Sequence, residues 1–231
     1  MEKLREKVKN YRAIRKSKKY YKKNLSSLHE QLIDFYNSLF DTNLEISIEF
    51  GTFPMFDPKK GKVIFGGIEI SESVAKKFGI SLKALCFSNL AHEEGERYYF
   101  HVNPFIKKFS EGEIIKHVLL KVVGKVEEPT DVEIVYCLAE GVATAAKNKA
   151  LERFGFREAK IEEKVFDKLK DKKYSLDDII ERGVPLTYVG YDYGNYFKVV
   201  RYFSRLGKKP FQKNVRKEPR KVYESIMKLT I

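Results

Sequence analysis

Chemistry-bearing side chains are concentrated in two segments, Glu113–Lys121 and Leu138–Ala143. His117 and Lys121 are four residues apart in a segment with helical apolar spacing, so we expect them to share one face of a helix. Glu140 follows in the next predicted helix, among small residues that permit close helix packing. A hydrolytic zinc site needs two neutral imidazoles, a third anionic ligand and a carboxylate general base. His117 and Glu140 supply two of these groups.

The two segments resemble the gluzincin clan of metallopeptidases, in which an HExxH helix is followed one helix later by Glu-Gly-x-Ala. Glu140-Gly141-Val142-Ala143 matches the second element, and His117 matches the first histidine. Val118 stands at the position of the catalytic glutamate, and Lys121 stands at that of the second histidine. Two flanking segments are also similar to the clan: Tyr98–Pro104 to its edge strand, and Tyr191–Tyr202 to its later helix. The resemblance covers roughly residues 44–207.

The resemblance implies a metallopeptidase-like fold with a degenerate site. Valine cannot accept a proton from water, and a lysine ammonium repels a metal. We therefore expect a non-hydrolytic binding scaffold without a cofactor, in which Lys121 pairs with Glu140 and the residual metal-ligand candidates are His117 and Glu140. The alternative is a divergent, active zinc-dependent hydrolase or peptidase that uses His117, Glu140 and a carboxylate from elsewhere.

The run His92-Glu93-Glu94-Gly95-Glu96 also begins like an HExxH motif. That motif works only on a helix, where residues four apart reach one metal. Because the run contains Gly, ends in Glu and separates two strand-like segments, Leu82–Ala91 and Arg97–Val102, it is predicted as a solvated hairpin loop. His29, beside a predicted capping box at Ser27–Glu30, is expected at the surface.

The net charge of +13 is concentrated at the two ends of the sequence. Residues 1–24 and residues 198–231 each hold eleven Lys or Arg and two Glu, a net +9 each, which leaves −5 for the rest. Such ends are typical of contacts with nucleic acid or an acidic protein, and equally of solvated helix faces. The candidate contact residues are Arg12, Arg15, Lys16, Lys18, Lys19, Lys22, Lys23, Lys208, Lys209, Lys213, Arg216, Lys217 and Arg220. A nucleic-acid-binding protein that uses these helices is the third functional hypothesis.

The order of the predicted strands and helices that must position these residues indicates an α+β fold, with a small mixed or antiparallel sheet in the N-terminal half and a mostly helical C-terminal half. We expect a basic helical arm at residues 1–24 and a single metallopeptidase-like domain at 25–231. The apolar spacing predicts a helix around Leu28–Leu39, strands at Leu44–Phe50 and Lys62–Ile70, and a helix at Glu72–Phe78. Further helices are predicted at 111–124, 131–154, 160–171, 175–182, 187–206 and 217–229.

Composition bounds the remaining possibilities. Hydrophobic residues make up 43% and charged residues 33%, which is typical of a globular protein. No segment approaches the ~20 apolar residues that span a bilayer, so we expect a cytoplasmic protein without a membrane partner. Abundant Lys and Glu with few Gln favour a thermophilic source. Cys86 and Cys137 fit no metal spacing and are predicted to be buried free thiols.

Overall fold

The structure is a computed structural model that describes residues 2–106, 130–160 and 193–229. It confirms the α+β prediction, with a small mixed sheet in the N-terminal half and helices on both sides of it in the sequence. The described helices are α1 (Glu2–Asn24), α2 (Ser26–Phe40), α3 (Ile68–Phe78), α4 (Leu82–Val102), α5 (Asp131–Arg153), α6 (Tyr193–Arg205), α7 (Lys208–Val215) and α8 (Pro219–Met227). None of these helices is long and apolar enough to cross a membrane.

The sheet contains β1 (Ile48–Phe50), β2 (Met55–Asp57) and β3 (Lys62–Phe65), in the order β1-β3-β2. β1 runs parallel to β3, and β2 runs antiparallel to β3. The turn between β2 and β3 forms because the Asp57 carboxylate accepts the backbone N–H groups of Lys59 and Lys60, while Gly61 takes a positive φ of 62°.

Contacts divide the chain into two compact units, Met1–Tyr99 with Ala146–Lys160, and Phe100–Ala145 with Ile161–Ile231. In the first unit, α1 packs against α2, α3 and the sheet. The predicted division into an arm at residues 1–24 and a domain at 25–231 stays a prediction.

The core of the first unit is rich in aromatic side chains. Tyr36, Phe40 and Tyr98 are fully buried and meet at ring-centroid distances of 5.4–5.8 Å. The Tyr36 hydroxyl donates to the carbonyl of Ala91 at 2.8 Å, and the Tyr98 hydroxyl donates to the Asn37 side chain at 2.9 Å. These bonds tie α2 to α4 inside an otherwise apolar core, so the buried hydroxyls do not lose their hydrogen bonds.

The second unit is held by a buried amide and by close helix packing. The Asn103 side chain donates to the backbone carbonyls of Val215 and Lys217 at 2.9 and 3.0 Å. Gly141 on α5 lies against Val199 on α6, where an added Cβ would come within 2.9 Å of the Val199 Cβ. The absence of a side chain at Gly141 therefore sets how closely α5 and α6 approach.

Several sequence predictions are confirmed and several are wrong. The predicted helices at 28–39, 72–78, 131–154 and 217–229 are present with shifted ends, whereas the helices at 111–124, 160–171 and 175–182 lie outside the described residues. The capping box at Ser27–Glu30 is wrong, because α2 begins at Ser26 after Leu25 and has no side-chain cap. β2 lies between the two predicted strands, where no strand was predicted; α3 begins inside the predicted second strand, and α7 was not predicted as a separate helix.

Candidate metal centre

α4 carries the run His92–Glu96 in the middle of a 21-residue helix. The helix buries twelve of its 21 residues, and because they include runs of consecutive residues they lie on most sides of it. No β-branched residue occurs from Leu82 to His101, which removes the main side-chain preference for a strand. α4 therefore replaces the two strands predicted at Leu82–Ala91 and Arg97–Val102.

The predicted hairpin loop at His92–Glu96 is wrong for the same reason. Gly95 does not form a turn but is buried within the helix. Because an α-helix turns by about 100° per residue, His92 and Glu96 point in nearly the same direction. Glu93 follows His92 directly, and all three side chains are half-buried. This is the arrangement that the HExxH motif requires, with Glu96 at the position of its second histidine.

Glu140 lies on α5 in the predicted Glu-Gly-x-Ala segment, which is confirmed as helical. Its neighbours Ala139, Val142 and Ala143 are buried, while the Glu140 side chain is half-buried. α5 is one continuous helix, in which Glu140 belongs to the second compact unit and the residues from Ala146 onward belong to the first.

One ligand atom from each of His92, Glu96 and Glu140 lies within 4.8 Å of the other two. The group combines one imidazole nitrogen with two carboxylate oxygens, which are ligand types that Zn²⁺ accepts. Ligand bonds of 2.0–2.2 Å in a tetrahedral site place ligand atoms about 3.4 Å apart. Side-chain rotation that brings these atoms about 1 Å closer would complete three corners of such a site.

A buried polar network lies on the opposite side of the same turn of α4. Glu94 is fully buried and points about 180° away from the mean direction of His92 and Glu96. Its carboxylate accepts a hydrogen bond from His29 Nε2 at 2.8 Å and from Arg97 Nε at 2.7 Å. Arg97 also donates to the carbonyl of Glu45 at 2.9 Å. The network joins α4 to α2 and to the segment before β1.

His29 completes the network, and its expected surface position is wrong. The His29 side chain is fully buried, and its Nδ1 lies 2.7 Å from the Tyr21 hydroxyl. Burial raises the Tyr21 pKa to about 12, so this phenol stays protonated and can donate to Nδ1. His29 Nε2–H then donates to Glu94, a tautomer inferred from the network. The sequence could not predict this, because Glu94 is 65 residues away.

The site predicted from the sequence is only partly within the described residues. His117, Val118 and Lys121 lie outside them, so the expected pairing of Lys121 with Glu140 stays a prediction. Glu140 is described, and the structure brings it together with His92 and Glu96. The signal that could have identified these two residues was the His-Glu-x-x-Glu spacing itself, which was assigned to a loop.

The basic residues singled out by the sequence lie on α1, α7 and α8, apart from Arg216 and Lys217, which lie between α7 and α8. On α1, the side chains of Arg12, Arg15, Lys16, Lys18, Lys19, Lys22 and Lys23 are exposed. In the C-terminal set, Lys208, Lys209, Lys213, Lys217 and Arg220 are exposed, and Arg216 is half-buried. Arg220 forms ion pairs with Asp131 at 2.8 Å and with Glu224 at 3.8 Å. The two sets belong to different compact units.

The two cysteines are buried free thiols, as predicted. Burial raises the pKa of Cys86 to about 12, so this thiol stays protonated at neutral pH and is a poor nucleophile.

No protein-family model, curated protein or solved structure matches the chain. The resemblance to gluzincins therefore stays a prediction, and the function must be argued from the chain's own residues.

Proposed function

We propose that the chain is a metal-dependent hydrolase of the peptidase type, in which His92, Glu96 and Glu140 bind a divalent metal ion such as zinc. The observation that carries the proposal is the convergence of one imidazole and two carboxylates within 4.8 Å on two helices. Three protein ligands, with the remaining position open to water or substrate, are the usual composition of a catalytic zinc site.

The charges of the three groups favour a divalent cation. Two ionised carboxylate oxygens within 4.8 Å of each other repel by at least about 3.5 kcal/mol at an effective dielectric constant of about 20. A doubly charged ion between them converts this repulsion into attraction and balances both negative charges. The site is also half-buried, which keeps it accessible to substrate while limiting its hydration.

Glu93 is the proposed general base. The metal would supply Lewis acidity to a water molecule and a substrate carbonyl. Glu93, next to the ligand His92, would take the proton from the attacking water and pass it to the leaving amine. Its adjacency matches the His-Glu pair of the HExxH motif. The degeneracy expected from Val118 and Lys121 does not apply to His92–Glu96, where the glutamate after the histidine is retained.

The site also has one physical difference from HExxH enzymes. Glu96 replaces an imidazole with a carboxylate, so the metal carries less net positive charge than with two histidines and one glutamate. A less positive centre acidifies a bound water less strongly. We therefore expect an activity optimum at a higher pH than that of an otherwise equal site with two histidines.

Metal analysis of the full-length protein tests the ligand set. After loading with zinc and removal of free metal, the wild-type protein should hold about one zinc per chain. Glu96→Gln and Glu140→Gln should each lose stoichiometric zinc, because an amide is a much weaker ligand than a carboxylate. His101→Ala is the matched control, since His101 is an exposed imidazole on the same helix. Unchanged zinc content in both glutamine variants would contradict the proposal.

Activity separates a hydrolase from a binding scaffold. Glu93→Gln should retain zinc but lose cleavage of a fluorescence-quenched mixed-peptide library by about 10²–10⁴-fold, the usual contribution of a general base. If the zinc-loaded wild-type protein binds the metal through these ligands yet cleaves none of the library, the scaffold hypothesis is favoured for the same site.

A further inference from the structure

We propose that the outer face of α1 binds duplex DNA through its phosphate groups, independently of the metal centre. The face consists of five exposed basic side chains on one side of the helix: Arg12, Arg15, Lys19, Lys22 and Lys23. We call this set the α1 basic face.

The arrangement of the α1 basic face follows from the helix period. Ser17 and Tyr21 on α1 are buried against the first unit, and the five basic residues lie on the side of the helix opposite to them. From Arg12 to Lys23 the helix rises by about 16 Å. B-DNA carries one negative charge per about 1.7 Å of axis, so several phosphates lie within reach of this stretch.

Among the described residues, no ion pair joins the α1 basic face to a carboxylate. On α1, the described side chains from Lys7 to Lys23 form one ion pair with the described residues, that of Lys16 with Glu72 at 2.9 Å. Lys16 is not part of the α1 basic face. In the C-terminal set, by contrast, Arg220 is paired with Asp131 and Glu224. The charge of the α1 basic face is therefore available for phosphates, whose bound counterions are released on contact.

The shape and polarity of α1 favour duplex DNA over other anionic partners. Residues 7–10 are exposed on all sides of the helix, and a helix of about 10–12 Å diameter fits the B-DNA major groove of about 12 Å. The major groove of duplex RNA is too narrow for side chains to read. Binding flat on a membrane needs a broad exposed apolar face, whereas the exposed large apolar side chains described on α1 are two, Val8 and Tyr11, and Tyr21 is buried in the fold.

Fluorescence anisotropy with a labelled, random-sequence DNA duplex tests the proposal on the full chain. With five phosphate contacts, the wild-type affinity should fall by about 500-fold between about 50 and 200 mM salt. The variant Arg12→Gln/Arg15→Gln/Lys19→Gln/Lys22→Gln retains one contact, so its affinity should fall only about 3-fold over the same range. It should also bind far more weakly than wild type at the lower salt concentration.

The matched control removes the same number of charges from the other end, as Lys208→Gln/Lys209→Gln/Lys213→Gln/Lys217→Gln. All eight side chains are exposed, so both variants should keep the wild-type circular dichroism spectrum and thermal midpoint. A steep salt dependence that survives in the control and is lost in the α1 variant supports the proposal. Equal losses in the two variants, no DNA binding by the wild type, or a preference for duplex RNA or acidic phospholipid vesicles would each overturn it.

Discussion

Replacing His29 with alanine should destabilise the protein more than any exposed substitution, because His29 is the centre of a buried network. In the wild type, His29 Nε2 lies 2.8 Å from the Glu94 carboxylate and Nδ1 lies 2.7 Å from the Tyr21 hydroxyl. Both His29 and Glu94 are fully buried, so water cannot replace the lost bonds without entering the core. His29→Ala leaves a buried carboxylate with Arg97 as its remaining partner in the network and deprives the Tyr21 hydroxyl of its acceptor.

The expected cost follows from those two losses. An unsatisfied buried polar group costs about 1–3 kcal/mol, and more when it is charged. Breaking a buried pair by removing one partner costs about 3–5 kcal/mol. For a chain of this size, that corresponds to a thermal midpoint lower by about 6–20 °C. Tyr21→Phe removes a single neutral hydrogen bond to His29 and should cost about 1–2 kcal/mol.

Urea unfolding of the four proteins of a double-mutant cycle measures the effect and its origin. Tyr21→Phe should add almost nothing to His29→Ala, because the hydroxyl has already lost its acceptor in that background. His101→Ala, an exposed histidine on α4, should change the free energy of unfolding by less than about 0.5 kcal/mol. A loss below about 1 kcal/mol for His29→Ala, or additive effects of the two substitutions, would refute the reasoning.

Two further predictions concern other parts of the chain. Gly141→Ala should cost about 1–3 kcal/mol of stability, because the new Cβ would lie 2.4 Å from the Val199 Cγ1 and 2.9 Å from its Cβ. Val199→Ala removes the Cγ1 but keeps the Cβ, so it should restore part of the loss in thermal unfolding. The hydrogen bond from Lys160 lowers the pKa of Glu152, so this pair stabilises the fold above the unfolded pKa of glutamate, and the contribution is lost as the pH falls through the lowered folded pKa. Lys160→Met should therefore lower the free energy of unfolding at neutral pH but not in strongly acidic buffer, and by less than about 1 kcal/mol because both side chains are partly exposed. Thermal unfolding at the two pH values measures this, and an equal loss at both would contradict it.

The sequence was sufficient where local periodicity decides the structure. The repeated apolar residues of α2 and α5 predicted both helices, and the apolar surroundings of Cys86 and Cys137 predicted their burial. In α2, however, the apolar spacing predicts a buried face that begins at Leu28. The observed buried face begins at His29 and continues through residues at helical spacing. A rotation of one residue therefore moved a histidine from the surface to the core.

α4 could not be assigned from periodicity alone. Short apolar runs fit a buried strand and a buried helix equally well, and Gly95 resembled a turn residue. The absence of β-branched residues was the one local signal for a helix. The partners of Glu94 and Glu140 are long-range, and their identity depends on how helices pack in three dimensions. The pairing of Glu140 with His92 and Glu96 was therefore beyond sequence reasoning, although the His-Glu-x-x-Glu spacing was present in the sequence.

The helix assignment also explains why a buried charged network adjoins the proposed metal centre. Buried ion pairs rarely stabilise a fold more than apolar side chains of similar volume would, so stability alone does not account for His29, Glu94 and Arg97. In one turn of α4, however, the side chains that point inward fix the rotation of the helix, and that rotation fixes where His92 and Glu96 point. An apolar interface could tolerate a small rotation, whereas rotation would lengthen or bend the hydrogen bonds that leave α4, from His29 to Glu94 at 2.8 Å and from Arg97 to the carbonyl of Glu45 at 2.9 Å. The network therefore fixes the direction in which the two proposed metal ligands of α4 extend.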